Sequence, residues 1–409
     1  MRYISALLLI LFFLSGCAAL TEDPIISLRI PEEAPLYATG LPVHGNTSLS
    51  DSPAESMMNP NLDPYLGLNI TFLAAGDNLI HPNIYMEAKK RGTTEKEYDF
   101  LPMYTDVADR IHEADFAFIN QESLMAGESY GYSGYPSFNS PQQLGLDLVS
   151  LGFDIIGLAN NHMLDKGSAG LADTVRFWDT QPATAIGGSF NPSPVILEND
   201  GVSIGLLAYT CHTNGIKQRA DAEVKVPYAD EDTIRSDIAS LQDLKCDIII
   251  VSIHWGNENA TSPSNEQIQL AQIMADAGVD VILGHHSHCL QPIEWLKGTA
   301  GNDTLCVYSL GNFVSGMAAP INHVGGLFTF SIVSDGTGGV KVAEPLLTPT
   351  VFYYGPNWFS THVYLLEEYT ESIAASHGVS IHGYSLSAER ARQIVTSVID
   401  PQFLPEYLQ

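Results

Sequence analysis

Basic residues are scarce in this 409-residue chain: 18 lysines and arginines stand against 47 aspartates and glutamates, a formal charge of -29. So acidic a chain repels a phosphate backbone and has few cations with which to release counterions, so no nucleic-acid partner is expected. Cysteine is scarce as well. The five residues, Cys17, Cys211, Cys246, Cys289 and Cys306, follow no regular spacing. A chain this long does not need staples to hold a core, so the last four are expected to be mostly buried thiols. No internal repeat is visible, and no apolar run reaches the roughly 20 residues that span a bilayer. Apolar side chains are plentiful: a hydrophobic fraction of 45% excludes a disordered chain, while 34 glycines and 23 prolines imply many turns. The length exceeds the roughly 100 to 200 residues of one usual domain, so one large domain with appendages or two modest ones is expected.

The N-terminus reads as a targeting segment. Met1 and Arg2 precede an apolar run over 3–14, followed by Leu14-Ser15-Gly16-Cys17. That run is too short to cross a membrane, and a small-residue site follows it. The four residues resemble the bacterial lipobox, which implies removal of a signal peptide over 1–16 and lipidation of Cys17. Residues 17–66 hold seven prolines and no sustained period, the mark of a flexible linker. The expected location is extracytoplasmic, with the chain lipid-anchored to the cell membrane.

From about residue 67, short apolar runs alternate with amphipathic stretches. Strands are expected over 70–75, 116–120, 155–159, 203–209, 248–253, 279–283, 305–310 and 327–333. Helices are expected over 104–113, 141–151 behind a Ser140 cap, 168–180, 232–244 and 265–277, the last closed by Gly278. The alternation argues an α/β domain over 67–350. Beyond Pro345 the pattern weakens, and 351–409 reads as a C-terminal extension of unknown role with one helix over 387–398, capped by Ser387 without a capping box.

Nearly every strand ends in polar, metal-competent residues: Gly76-Asp77-Asn78, Asn120-Gln121-Glu122, Asn160-Asn161-His162 with Asp165, His254-Trp255-Gly256-Asn257-Glu258, and Gly284-His285-His286-Ser287-His288. The carboxyl ends of strands line the ligand crevice in open α/β sheets, so these clusters should converge. Imidazoles at i and i+2, as in His286 and His288, point the same way from an extended segment. Carboxylates, amides and imidazoles together suit a divalent Mn, Zn or Fe ion, which would polarise an oxygen and acidify water. Taken singly, each cluster also has a structural reading: a turn, a helix start, or a satisfied strand-end histidine.

These stretches, together with Tyr308-Ser309-Leu310-Gly311-Asn312-Phe313, resemble the bacterial capsule synthesis family, the poly-gamma-glutamate capsule proteins called CapA, whose domain is related to the calcineurin-like metallophosphoesterases. The resemblance covers about 68–333 and implies a calcineurin-like α/β fold with a β-sandwich core flanked by helices. It implies Asp77, Glu122, Asn161, His254, His286 and His288 as metal ligands or near-ligands, and His162, oriented by Asp165, as the acid that protonates a leaving group. His212 or Asn214 in Tyr209-Thr210-Cys211-His212-Thr213-Asn214-Gly215 would touch substrate or simply form an Asn-Gly turn. Trp255, Ser309 and Asn312 would contact substrate or close the core. Two departures stand out: Leu79 replaces the His expected two residues after Asp77, and Asn120-Gln121-Glu122 replaces a Gly-Asp motif, so one metal position is weaker, absent or completed by His81. The function implied is metal-dependent hydrolysis of an amide or phosphoester in making, anchoring or trimming an anionic surface polymer. The rivals are a phosphoesterase of small envelope metabolites and a non-catalytic scaffold of a polymer-synthesis complex.

Overall fold

Alternation in β1 (Asn69–Leu79) sends Ile70, Phe72 and Ala74 to one buried face, Leu73 and Ala75 to the other. A strand apolar on both faces needs a layer on each side, and the computed structural model, which describes residues 63–190 and 194–409, supplies both. The expected signal peptide, Cys17 and nearly all of the linker lie outside the described residues. Among the described residues no helix is long and apolar enough to cross a membrane.

The larger sheet runs β14 (His362–Leu365), β13 (Val340–Tyr353), β12 (Val324–Ser334), β1, β2 (Phe116–Asn120), β3 (Ile155–Gly157) and β4 (Thr184–Ile186), with β11 (Asn312–Ser315) pairing the end of β1. It is antiparallel from β14 to β1 and parallel from β1 to β4. The smaller sheet runs β5 (Val195–Asn199), β6 (Val202–Thr210), β7 (Ile248–His254), β8 (Val281–His285), β10 (Asp303–Val307) and β9 (Ile293–Lys297), with β6, β7, β8 and β10 parallel. Ile70, Phe72, Phe118 and Phe330 of the larger sheet pack against Ile204, Ile248, Ile250 and Leu283 of the smaller. Helices α1 (Pro82–Arg91), α2 (Ala108–His112), α3 (Gln143–Ser150) and α4 (Gly167–Trp178) cover the outside of the larger sheet. Helices α5 (Glu231–Asp243) and α6 (Asn265–Ala277) cover the smaller. The expected β-sandwich flanked by helices is present.

Local chemistry explains where the elements stop. Ser264 and Gln267 form a reciprocal capping box at the start of α6, and Gly278 ends it at φ 95°. Over 104–113 only α2 is helical. Tyr104 and Val107 close three-residue turns that carry the Tyr104 ring into the core against Phe313, so packing overrides helix propensity. Ser140 does not cap α3; its hydroxyl bonds Ser123 instead. The largest difference lies past residue 334. β13 is a long strand despite Pro345 because that proline sits at a register shift beside Glu344 (φ 53°), where no ladder N–H is needed. The boundary expected at 350 falls inside β13. The segment beyond it is a built part of the sandwich: β14 extends the sheet, and α7 (Ala388–Thr396), capped by Ser387, buries Ala391 and Val395 in the inter-sheet core.

Candidate metal centre

Asp77 owes its position to a break in its strand. The register of β1 against both neighbours shifts around Asp77, a bulge that re-aims the side chain at the strand end. Gly76 permits it, since a Cβ there would overlap the Gly311 carbonyl oxygen, which accepts the Asp77 N–H at 2.9 Å. Gly76→Ala is therefore expected to cost about 1–3 kcal/mol of stability through overpacking and to displace Asp77. Urea unfolding of the purified variant measures the first effect and its divalent-ion affinity the second.

The other groups follow from strand ends. Asn120, closing β2, donates to Asp77 Oδ1 at 2.8 Å, and the next turn carries Glu122 inward. After β3, Asn160 anchors the turn by donating to the Gln121 carbonyl and accepting the His162 N–H, both at 3.0 Å, which presents Asn161 and His162. β7 ends on His254. Past β8, His286 and His288 both adopt left-handed backbone, at φ 91° and 56°. They converge through a strained turn and not by the extended i, i+2 alternation expected. Strain of this kind, about 1–3 kcal/mol per residue, collects at functional sites.

The result is a buried knot of donors that only partly satisfy one another. His254 Nε2 lies 3.1 Å from Asn161 Oδ1 and 3.4 Å from Glu122 Oε1. His288 lies 3.1 Å from Asp77 Oδ2 through Nδ1 and 3.7 Å from Glu122 Oε1 through Nε2. Both Glu122 oxygens and the Nδ1 atoms of His254 and His286 are buried without a hydrogen-bond partner among the described residues. Burying such groups unpaired costs several kcal/mol unless something else satisfies them. Three sets of potential ligand atoms are close enough to hold an ion: Glu122, His254 and His286; Asp77, Glu122 and His288; and Glu258, His286 and His288. The mixed nitrogen and oxygen donors and the orphaned atoms fit a divalent cation.

The electrostatics agree with that fit. Burial works against the Asp77 charge, yet His285 and His288 hold its carboxyl well below the usual range. Burial pushes Glu122 well above it, and Asp77 adds to the effect while His288 opposes it. Burial keeps His254 neutral and lowers His286 to about 3. His288, although buried, is raised to about 10 by Glu122 and Asp77. Two neutral imidazoles therefore offer lone pairs at neutral pH, while a proton on His288 stands where a cation would.

Burial also lowers His81 and His377 to about 4 and His323 to about 3. A folded-state pKa below 6.5 gives stability that is present above pH 6.5 and lost as the pH falls toward those values. At pH 5 each such histidine, with His286, withdraws about 2 kcal/mol, partly offset by Glu122, which favours the fold as it protonates. His288 is charged in both states below pH 6.5 and adds no slope there. The chelator-treated protein is thus expected to lose most of its stability between pH 6.5 and pH 5, read as a falling urea midpoint.

A cleft of about 320 Å³ opens onto the knot, lined among others by Leu79, His81, Tyr135, Phe138, His162, Asp165, Asn214, Glu258 and His288. His162 Nδ1 lies 2.8 Å from Asp165 Oδ2, which also accepts the Phe138 N–H at 2.6 Å. With Nδ1 so engaged, Nε2 is the ring nitrogen left for the cleft.

The remaining expected contacts divide. His212 faces His286, Nε2 to Nε2 at 3.3 Å, and Asn214 accepts from Asn161 at 3.3 Å. Both border the site, and Asn214, at φ 50°, also makes the turn. Trp255 and Ser309 sit in the core, the second of the two readings open to them. Trp255 is fully buried, stacked on Tyr308 with its N–H on the Tyr308 carbonyl, and the buried Ser309 hydroxyl accepts the Gly311 N–H. Asn312 is likewise buried, its Oδ1 3.0 Å from His288 Nδ1, so it touches a candidate ligand and not the cleft. His81 lines the cleft, but its Nδ1 accepts the Gly316 N–H at 3.0 Å, and it joins none of the three ligand sets. Glu258, which ends the His254 to Glu258 stretch and has no role assigned from the sequence, joins His286 and His288 in one of these sets. Cys211, Cys246, Cys289 and Cys306 are unpaired thiols, the last two fully buried.

The model of the bacterial capsule synthesis protein family PGA_cap matches residues 71–317. The PGA biosynthesis protein CapA of Bacillus subtilis is 31% identical over 210 residues, 48% of this chain and 51% of that protein. The capsule biosynthesis protein CapA of Bacillus anthracis is 34% identical over 173 residues, 40% of each. The chain thus aligns with about half or less of the length of these relatives. Among solved structures, calcineurin-like phosphoesterase YfkN of Bacillus subtilis aligns over 81% of this chain and 96% of that one, with 13% identity and a TM-score of 0.44. NAD nucleotidase NadN of Haemophilus influenzae aligns over 83% of this chain and 64% of that one, with the same identity and TM-score.

Proposed function

Since the chain belongs to the bacterial capsule synthesis protein family, we propose that it is a metal-dependent hydrolase of amide or phosphoester bonds in the biosynthesis of poly-gamma-glutamate or a related anionic surface polymer. In this reading it is exported as a lipoprotein and held at the membrane through Cys17, with its partner the polymer or the complex that makes it. The observation that carries the catalytic part is the set of orphaned, buried donors around Glu122, His254 and His286, next to the His288 and Glu258 side chains that line an open cleft.

Asp77, Glu122, His254, His286 and His288 would hold the ion, with Asn161 bonded to His254 and Glu258 at the mouth. A divalent cation there supplies Lewis-acid chemistry, polarising the scissile carbonyl or phosphoryl oxygen and acidifying water. The protein does the rest. Asp165 fixes the His162 ring through Nδ1, so that Nε2 can deliver a proton to the leaving amine or alcohol as the bond breaks. Phe138 packs edge-on against His162 at 4.7 Å and holds the ring to one orientation. The negative surface does not bar an anionic substrate, because local charge dominates within a Debye length of roughly 8 Å.

The test is hydrolysis of poly-gamma-glutamate and of simple phosphate esters with Mn²⁺, Zn²⁺ or Fe²⁺ added, with and without chelator, beside metal analysis of the purified protein. Chelator-sensitive turnover supports the proposal. A protein that retains no ion and cleaves nothing would instead be a scaffold of the synthesis complex. The cleft volume, small beside a polymer, favours a chain end or a small phosphoester, so activity confined to phosphate esters would favour the metabolite reading. His162→Gln is expected to keep the ion and lose about 10²–10⁴-fold in turnover number; turnover within a few-fold of wild type would remove His162 from the mechanism.

A further inference from the structure

We propose that Asn322, which lies past the stretch the family model matches, is a positioning residue of this centre: its side-chain amide holds the backbone of His288 and ties it to the turn that carries Glu258. The inference rests on the metal-site reading above. His288 sits at φ 56°, and its carbonyl accepts the Asn322 amide at 3.1 Å and the Asn312 amide at 3.3 Å. Asn322 also donates to Asn259 Oδ1 at 2.8 Å; Asn259, next to Glu258, is itself left-handed at φ 62° and donates its N–H to the Ser287 carbonyl at 2.8 Å. The Asn322 carbonyl accepts the Asn312 amide at 2.9 Å, while Asn312 Oδ1 lies 3.0 Å from His288 Nδ1. That contact occupies Nδ1 and leaves Nε2, the nitrogen toward Glu122, as the ligand atom.

Two strained segments, one with His288 and one beside Glu258, are thus pinned to a single buried amide. That amide is anchored from behind. The neighbouring His323 is fully buried with Nε2 2.8 Å from the Met317 carbonyl and Nδ1 3.2 Å from the Phe352 carbonyl of β13, which His377 Nε2 also approaches at 3.1 Å. Residues beyond the matched stretch therefore brace the turn that braces His288.

The test is Mn²⁺ binding to the full chain, followed by EPR. Asn322→Leu keeps the branching of the side chain, at some gain in volume, and removes both N–H donors; it is expected to weaken Mn²⁺ about 10–100-fold and to alter the lineshape of the bound ion. Asn259→Gly keeps the left-handed backbone without strain and removes only the second acceptor, so it decides the matter should Asn322→Leu fail to fold, and it is expected to shift affinity in the same direction. A merely structural Asn322 would lower the melting temperature of the metal-free protein and leave affinity and lineshape unchanged. Wild-type Mn²⁺ affinity in both variants overturns this inference and leaves the proposed function standing; a wild type that binds none of Mn²⁺, Zn²⁺ and Fe²⁺ overturns both.

Discussion

His286→Ala is expected to strip the protein of its divalent ion and of hydrolysis while leaving it folded. His286 belongs to two of the three ligand sets, with Glu122 and His254 on one side and with Glu258 and His288 on the other, so its loss leaves each set a ligand short. Removing a group that only supports a ligand costs about 10–100-fold in metal affinity, and removing a ligand should exceed that. The fold should survive because His286 packs among other polar rings, His212, His254 and His288, rather than in an apolar cluster. Alanine inherits the strained φ of 91°, so the melting temperature of the variant should match that of the chelator-treated wild type. Metal content and turnover of the variant beside wild type are the measurements, and retained metal with full activity would end the proposal. His254→Ala is expected to behave in the same way.

Ending the chain at residue 350 is expected to abolish cooperative folding altogether. The cut removes Phe352, Tyr354, Val363, Leu366, Tyr369, Val379, Leu386, Val395, Ile399, Phe403 and Leu404, all buried. Truncating one large core side chain costs about 2–5 kcal/mol, and a domain's whole stability is about 5–15 kcal/mol, so losing this set outweighs what the ladder between β12 and β1 retains. Near-ultraviolet circular dichroism and a thermal scan of the shortened chain test the point; a sharp melting transition with native-like aromatic signals would show that the matched stretch folds alone.

How much of this was legible in the sequence depended on how local the signal was. Runs such as 248–253 announce themselves because a strand buried on both faces is continuously apolar, and the polar residues at its end stand out by contrast. Short edge and outer strands lack that contrast. β4 and β14 are three and four residues long, and β13 carries prolines that read as breaks until its bulge is seen. At the site, Asp77, Glu122, His254, His286 and His288 were legible because their residue types are rare at strand ends. For Trp255 and Asn312 the sequence leaves substrate contact and core closure both open, because only the structure shows that one stacks on Tyr308 and the other turns toward His288. Nothing in the sequence near Asn322 sets it apart; its partners are 34 and 63 residues away.

The donors of the centre come from both halves of the sandwich. Asp77, Glu122 and Asn161 ride on the larger sheet and the turns after it, whereas His254, His286 and His288 ride on the smaller. A cation bound there would act as a rivet across the seam, added to the few polar contacts, such as His254 with Asn161 and His288 with Asp77, that already cross it. Sliding of one sheet over the other by even part of a residue spacing would pull the ligands apart, so a bound ion would resist shear more strongly than the apolar layer and these polar contacts do without it. Chemistry and mechanical integrity would then depend on the same few bonds, and a chain starved of metal would lose its rigidity along with its activity.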